Sequence, residues 1–385
     1  MNNHFWKAAL CAAMVPFALA GCGGGDDGGV QTGTLHVAMT DAPSCGFDHI
    51  YVTVSQVRVN ANTNASDNDA GWSTITLATP RKIDLLSLTN GVLADIGQTA
   101  LPAGQYQQIR LVLAPNQGNS LANSVVPTGG TEQALATPSA TQSGYKIIQP
   151  FTVQANTLVD LVLDFNACKS IVQRGNGTYA LKPVVTAIPT VVSGAISGYV
   201  APAEAGATVY AEQGGKVVRG TVADSTGKFV LSPLIQSSTQ GNYDVVIVQN
   251  NFASGIVRTV PVVVNTTTAV SASNAPITLP ASTMSSVSGT VTASADALVR
   301  ALQTVDARAY EITSINANMD TGAYVLNVPT AAPIVGTYSG SLPVALAASP
   351  AAAAQYTIEA DAASGATQST NVNATTSQSN VNFSF

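Results

Sequence analysis

The chain has 385 residues, more than a single hydrophobic core usually serves, so two or three domains are expected. Charged residues make up only 9% against 46% apolar, and the net charge is −6 with few Lys and Arg. That balance offers no electrostatic handle for nucleic acid or anionic headgroups, so nucleic acid is excluded as a partner.

At the N-terminus, Lys7 precedes an apolar run over 8–18 that leads into Leu19-Ala20-Gly21-Cys22. A basic start, a short apolar stretch and small residues before a cut are the parts of a secretory signal. The run is far shorter than the roughly 20 apolar residues needed to span a bilayer. Its ending resembles the lipobox of bacterial lipoproteins. The resemblance implies cleavage after Gly21 and lipidation of Cys22, with palmitate-type acyl chains anchoring the mature chain to a membrane. Two or more such chains hold stably where one binds reversibly. Gly23 follows the cysteine instead of Asp, and by the same resemblance the outer membrane is the expected address. Residues 1–21 then form the signal peptide and 22–33, rich in Gly, a flexible tether. Cleavage takes Lys7 away and leaves 14 basic against 21 acidic residues, a net −7.

Cys11 departs with the signal and Cys22 carries lipid, which leaves Cys45 and Cys168. In an oxidising compartment they are expected as a disulfide, with two separate buried thiols as the alternative. A loop of that length would gain about 4–5 kcal/mol on a chain-entropy argument. Nothing near them has the paired-ligand spacing of a zinc site, and no metal or other cofactor is expected.

From Thr34 the pattern has period two. Leu35, Val37 and Met39 alternate with polar neighbours, as do Ile50, Val52 and Val54 in a strand running on to Val59. Further strands are expected over 109–113, 145–148, 158–165 and 179–188, each bounded by Gly, Pro, Asn or Asp. The polar inserts 60–71 and 116–143 read as surface loops, and 85–96 as the one place for a short helix. Together, 34–190 reads as one β-sandwich domain.

Four motifs here carry a resemblance: Thr40-Asp41-Ala42-Pro43, Ile83-Asp84-Leu85-Leu86-Ser87-Leu88, Leu101-Pro102-Ala103-Gly104-Gln105-Tyr106 and Ile109-Arg110-Leu111. In this order they resemble the domain of unknown function 4382 family, over about residues 33–190. The family occurs in exported bacterial and archaeal proteins, many of them lipoproteins, and it implies no activity.

After Pro189 the texture changes. Ser193-Gly194-Ala195-Ile196-Ser197-Gly198-Tyr199-Val200 opens a second unit, 191–282, and Ser286-Val287-Ser288-Gly289-Thr290-Val291 a third, 283–385. Each carries a turn, Asp224-Ser225-Thr226-Gly227-Lys228-Phe229 and Asp320-Thr321-Gly322-Ala323-Tyr324, in which Asp accepts backbone bonds and Gly takes positive φ. Each ends on a similar strand, from Tyr243 and from Tyr356. The pattern resembles carboxypeptidase-regulatory-like modules with a transthyretin-like sandwich, which implies non-catalytic spacers or binding units. Unit three departs from it, with Asp320 one residue nearer its Gly and an Ala-rich insert over 343–354.

Catalytic supply is thin. His36 and His49 fall on the polar side of their strands, and there is no Gly-x-Ser-x-Gly elbow. Asp67 and Asp69 lack the spacing of a calcium loop and read as solvated. Asp160 and Asp164 share one strand face, taken as exposed, and Asp41 reads as a turn former. Lys216 and Lys228 lie too late in unit two for a Lys–Asn isopeptide bond. The closing Val381-Asn382-Phe383-Ser384-Phe385 is one strand, where a membrane barrel needs about eight.

The chain therefore reads as all-β: a lipid-anchored rod of tandem antiparallel β-sandwich domains after a cleaved lipoprotein signal peptide. The expected function is non-enzymatic display of a binding module for carbohydrate or envelope polymer. The alternatives are a structural or assembly partner of another envelope protein by strand addition, and a hydrolase using His36, His49, Asp41 or Asp67 in the first domain.

Overall fold

The computed structural model describes residues 31–41, 46–182, 184–236, 242–292, 297–342 and 344–385. Cys22, with its lipobox and most of the tether, and Cys45 lie outside the described residues.

Alternating apolar residues build the first unit from β1 (Thr32–Asp41), β2 (Phe47–Asn60), β3 (Ser73–Asp84), β4 (Ala94–Pro102), β5 (Gly104–Leu113), β6 (Ser124–Pro127), β7 (Gln133–Ala136), β8 (Tyr145–Val153), β9 (Leu158–Phe165), β10 (Ile171–Gln173), β11 (Tyr179–Leu181) and β12 (Val185–Pro189). One sheet runs β12-β9-β1-β4, the other β10-β11-β7-β6-β2-β5-β8 with β3 beside β2. Leu35, Val37 and Met39 of β1 share one buried core with Ile50, Val52 and Val54 of β2. Most pairs are antiparallel, while β1–β9 and β11–β7 run parallel.

Three expectations for this unit need correction. The stretch 85–96 holds only a 3-10 turn, Leu85–Ser87, capped by Asp84, before β4 begins. The insert 116–143 is not a loop. It contributes β6, β7 and a short helix α1 (Pro138–Gln142), held down by buried Val125, Leu135 and Ala140. The single strand expected over 179–188 divides at Lys182-Pro183-Val184 into β11 and β12, which serve different sheets. Proline cannot donate to a ladder, so the break falls there.

The second unit comprises β13 (Ser193–Tyr199), β14 (Thr208–Gln213), β15 (Lys216–Val222), β16 (Lys228–Ile235), β17 (Tyr243–Val248), β18 (Gly255–Val260) and β19 (Thr267–Ala269). The third comprises β20 (Met284–Thr292), β21 (Leu298–Val305), β22 (Arg308–Asn316), β23 (Ala323–Pro329), β24 (Ile334–Thr337), β25 (Ala347–Ala348), β26 (Gln355–Asp361), β27 (Thr367–Asn373) and β28 (Phe383–Ser384). Unit two has sheets β16-β13-β19 and β15-β14-β17-β18-β24-β25; unit three has β23-β20-β28 and β22-β21-β26-β27. The strands β24 and β25 thus leave the third unit and extend a sheet of the second. Ile334 and Val344 enter the second unit's core, so the boundary at residue 283 is crossed by a donated segment.

The two recurrent turns share one device. Gly227 and Gly322 both have positive φ, and a Cβ on either would come within 2.2 and 2.0 Å of the Val200 and Val291 carbonyl oxygens. In unit two, Asp224 Oδ1 accepts from the Thr226 and Lys228 amides. In unit three that role passes to Asn318, whose Oδ1 accepts from the Asp320 and Thr321 amides. Asp320 is thereby released, and it accepts at 2.6 Å from the Gly175 amide of the first unit.

The three units touch pairwise, so the chain folds back on itself and is not a rod. Units one and two meet at Asp164 and Arg219, a fully desolvated ion pair, with Arg219 Nη2 also donating to Thr40 Oγ1 at 2.8 Å. Asn90 joins them again, donating its amide to Thr221 Oγ1 and accepting from Val230. Units one and three meet through α2 (Ala167–Ser170): Lys169 Nζ lies 2.9 Å from Glu311 Oε1, and Asn316 Nδ2 donates to the Lys169 and Ile171 carbonyls. Units two and three share Arg258, whose guanidinium donates to Tyr310 Oη and Asp306.

Candidate binding cleft

A cavity of about 860 Å³ opens where the three units converge. The first unit supplies Phe47 from the start of β2, Ile171 and Gln173 from β10 and Tyr179 from β11. Unit two supplies Thr208 and Tyr210 from β14 and the turn Val248-Gln249-Asn250 after β17. Unit three gives the longest wall, β22 over 312–316 and β23 over 323–327. Strand alternation decides what faces inward: Tyr324 and Leu326 are buried, whereas Val325 and Asn327 are exposed.

Polar groups along this surface divide into two sets. One set is spent on structure: Asn316 Nδ2 on α2 carbonyls, Asn318 on its turn, Gln249 Nε2 on the Ala205 carbonyl, and Tyr324 Oη on the Val381 carbonyl. In the other, the side chains of Gln173, Asn250, Asn327, Thr208, Thr313 and Ser314 make no hydrogen bond among the described residues. Beside them lie the edge-to-face pair Phe47–Tyr179, centroids 5.6 Å apart, and the exposed aliphatic side chains of Ile315 and Val325. Hydrogen-bonding groups next to small apolar faces suit a ligand with the same mixture.

Behind the wall runs a paired charge network. Arg300 binds Glu311, Glu359 and Asp361, and Glu311 also holds Lys169. Glu212 of β14 accepts from the Glu311 amide through Oε2, while its buried Oε1 has no partner. Burial and the neighbouring Glu311 carboxylate push the Glu212 carboxyl well above the usual carboxylate range. Burial and the same two carboxylates raise the Tyr210 phenol, and burial raises Tyr324, packed inward in the third unit's core, to about 12.

Apart from Cys168, the residues singled out from sequence do not line the cleft, and of them the fold brings His36 and Asp160 into contact. His36 is clamped on the outer face of the first sheet, Nδ1 2.7 Å from Asp160 and Nε2 2.9 Å from Asp95. Burial lowers its pKa, but the two carboxylates outweigh that and the net shift is upward. His49 pairs with Asp84 at 2.7 Å and stacks on Tyr51. Asp67 pairs with Arg110 and Asp69 caps Ser66, so the 60–71 loop is pinned from within. Arg58 and Arg110 flank the Trp72 ring at 4.5 and 4.9 Å. Asp41 is buried, accepting from the Ala167 amide at 2.9 Å. Asp164 does not share the exposure expected for its strand face: unit two covers it, while Asp160 four residues away stays at the surface. Cys168 lines the cleft, as does Gly46, the neighbour of Cys45 in sequence.

Sequence reasoning missed the cleft because no single unit contains it. The available signal was Thr313, Ser314 and Asn327, polar residues on strands that no turn needs.

In comparisons with known proteins, residues 32–183 match the family "Domain of unknown function (DUF4382)". Its motifs have structural work here: Asp84 caps the 3-10 turn, Tyr106 Oη donates to the Pro102 carbonyl, and Arg110 ties down the 60–71 loop. No curated protein matches. Among solved structures, the chain is similar to a chain of a type II cohesin–X-dockerin complex from Acetivibrio cellulolyticus, at 27% identity over 23% of this chain, with a TM-score of 0.19. It spans 58% of that chain. It is also similar to the major pilin subunit of Bacillus cereus, at 9% identity over 92% of this chain and 99% of that one, with a TM-score of 0.13.

Proposed function

We propose, for a chain whose residues 32–183 match this domain of unknown function, that it is a membrane-anchored, non-enzymatic envelope lipoprotein whose cleft binds carbohydrate. The supporting observation is the cleft itself, where unspent amides and hydroxyls lie beside Phe47, Tyr179, Ile315 and Val325. Sugars present hydroxyl groups and C–H faces in the same mixture. His36 is held by Asp95 and Asp160 and His49 Nδ1 by Asp84, and neither histidine lines the cleft.

The anchor is Cys22, at the outer membrane, with the tether holding the folded body off the surface. Cys45 and Cys168 form a disulfide in this reading, supported by Cys168 and Gly46, the sequence neighbour of Cys45, both lining the cleft. Co-sedimentation of the mature chain with isolated envelope polysaccharide tests the binding. Retention in the pellet, reduced when Asn250 and Asn327 are both changed to Ala, is expected. A soluble fraction unchanged by polysaccharide contradicts it. Metabolic labelling with palmitate, lost in Cys22→Ala, tests the anchor.

A second reading follows from β23. It ends its sheet, paired only with β20, and 323–327 line the cleft. An extended segment of another envelope protein adding to that edge would make the chain an assembly partner. Capture of one stoichiometric protein on the tagged chain supports this reading over the first.

A further inference from the structure

Every cleft residue is uncharged: among the described residues lining it there is no Asp, Glu, Lys, Arg or His. Behind the wall the ionic groups are paired, Lys169 and Arg300 on Glu311, with Arg300 also on Glu359 and Asp361. Asp320 at the rim is engaged by the Gly175 amide.

The geometry points to a neutral glycan, one without carboxylate, sulfate or phosphate groups, as the ligand of this cleft. The inference rests on the carbohydrate reading above and narrows it. A charged substituent entering here would lose its water and meet no counter-charge, at a cost that hydroxyls do not incur. Hydroxyls donate and accept at once. The unspent groups of Gln173, Asn250, Asn327, Thr208, Thr313 and Ser314 do the same and need no ionisation on either side. Ile315 and Val325, 39% and 52% exposed, give the sugar ring's C–H face an apolar rest. Binding of this kind is indifferent to ionic strength, because no long-range charge term contributes.

The test is a glycan array carrying neutral and anionic polysaccharides, probed with the full mature chain at about 0.01 M and about 1 M salt. Signal on neutral glycans, unchanged between the two, is expected. Asn250→Ala and Asn327→Ala each remove one exposed amide and should weaken it about fivefold, one hydrogen bond's net contribution. Their exposed positions leave the fold intact, which circular dichroism checks. Binding confined to anionic glycans and lost at high salt overturns the neutral-ligand inference while leaving carbohydrate binding standing. Neutral binding unaffected by both variants overturns the assignment to this cleft. A blank array overturns the carbohydrate reading itself.

Discussion

Breaking the Asp164–Arg219 pair tests whether the units form one folded body. Both side chains are desolvated, 7% and 2% exposed, so water screens their interaction little. Asp164→Ala leaves the Arg219 guanidinium with Thr40 Oγ1 as its remaining side-chain partner. Arg219→Ala leaves a buried carboxylate and the Thr40 hydroxyl without their cation. Removing one member of such a pair costs about 3–5 kcal/mol, whereas replacing both with apolar residues of similar volume is often neutral. Asp164→Leu combined with Arg219→Met should therefore be far less damaging than the sum of the singles. The coupling expected in a double-mutant cycle is about 2 kcal/mol or more, read from urea unfolding followed by one probe in all four proteins. Several units unfold here, so the fits must first show a single transition. Additivity within about 0.5 kcal/mol would refute the claim that this contact joins units one and two.

Three further outcomes follow. Glu212 has a folded pKa above its unfolded value, so its contribution to stability falls as pH rises from about 4.5 towards the folded pKa. Glu212→Gln should flatten that decline and raise the neutral-pH melting temperature; a lower one contradicts the upward shift of Glu212. His36 is shifted upward too, so its clamp on Asp95 and Asp160 stabilises at mildly acid pH and fades as pH climbs through the folded value. His36→Gln should cost more stability at about pH 5 than at about pH 9, and an equal loss at both would sink that assignment. Gly227→Ala and Gly322→Ala place a methyl against a carbonyl in a left-handed turn, and each should destabilise by about 1–3 kcal/mol in thermal melts.

Period-two alternation made β1, β2, β5 and β9 legible, because one face of each is buried and the other is not. It failed for β3, whose Pro80-Arg81-Lys82 stretch is exposed and whose apolar positions are few. It failed also for β4, where Gly97 interrupts a short pattern. Asp164 was misjudged because burial on this strand comes from another unit, which local pattern does not encode. Asp320 carried a visible clue. Its irregular spacing from Gly322 reflected the transfer of the turn's acceptor to Asn318 and the recruitment of Asp320 as an inter-unit contact. Of the donated strands, β25 was visible only as part of the Ala-rich insert over 343–354 with no stated destination, and β24 was not legible. The cleft was illegible for the same reason: its walls come from residues nearly 300 positions apart, from Gly46 to Asn327.

Hydrogen–deuterium exchange of the mature chain, with and without a neutral polysaccharide, tests the central claim most directly. Ligand-dependent protection is expected at β22, β23 and the Gln249-Asn250 turn, which line the cleft together. Protection confined to the His36 or His49 surfaces, or none anywhere, would contradict a binding function for this junction.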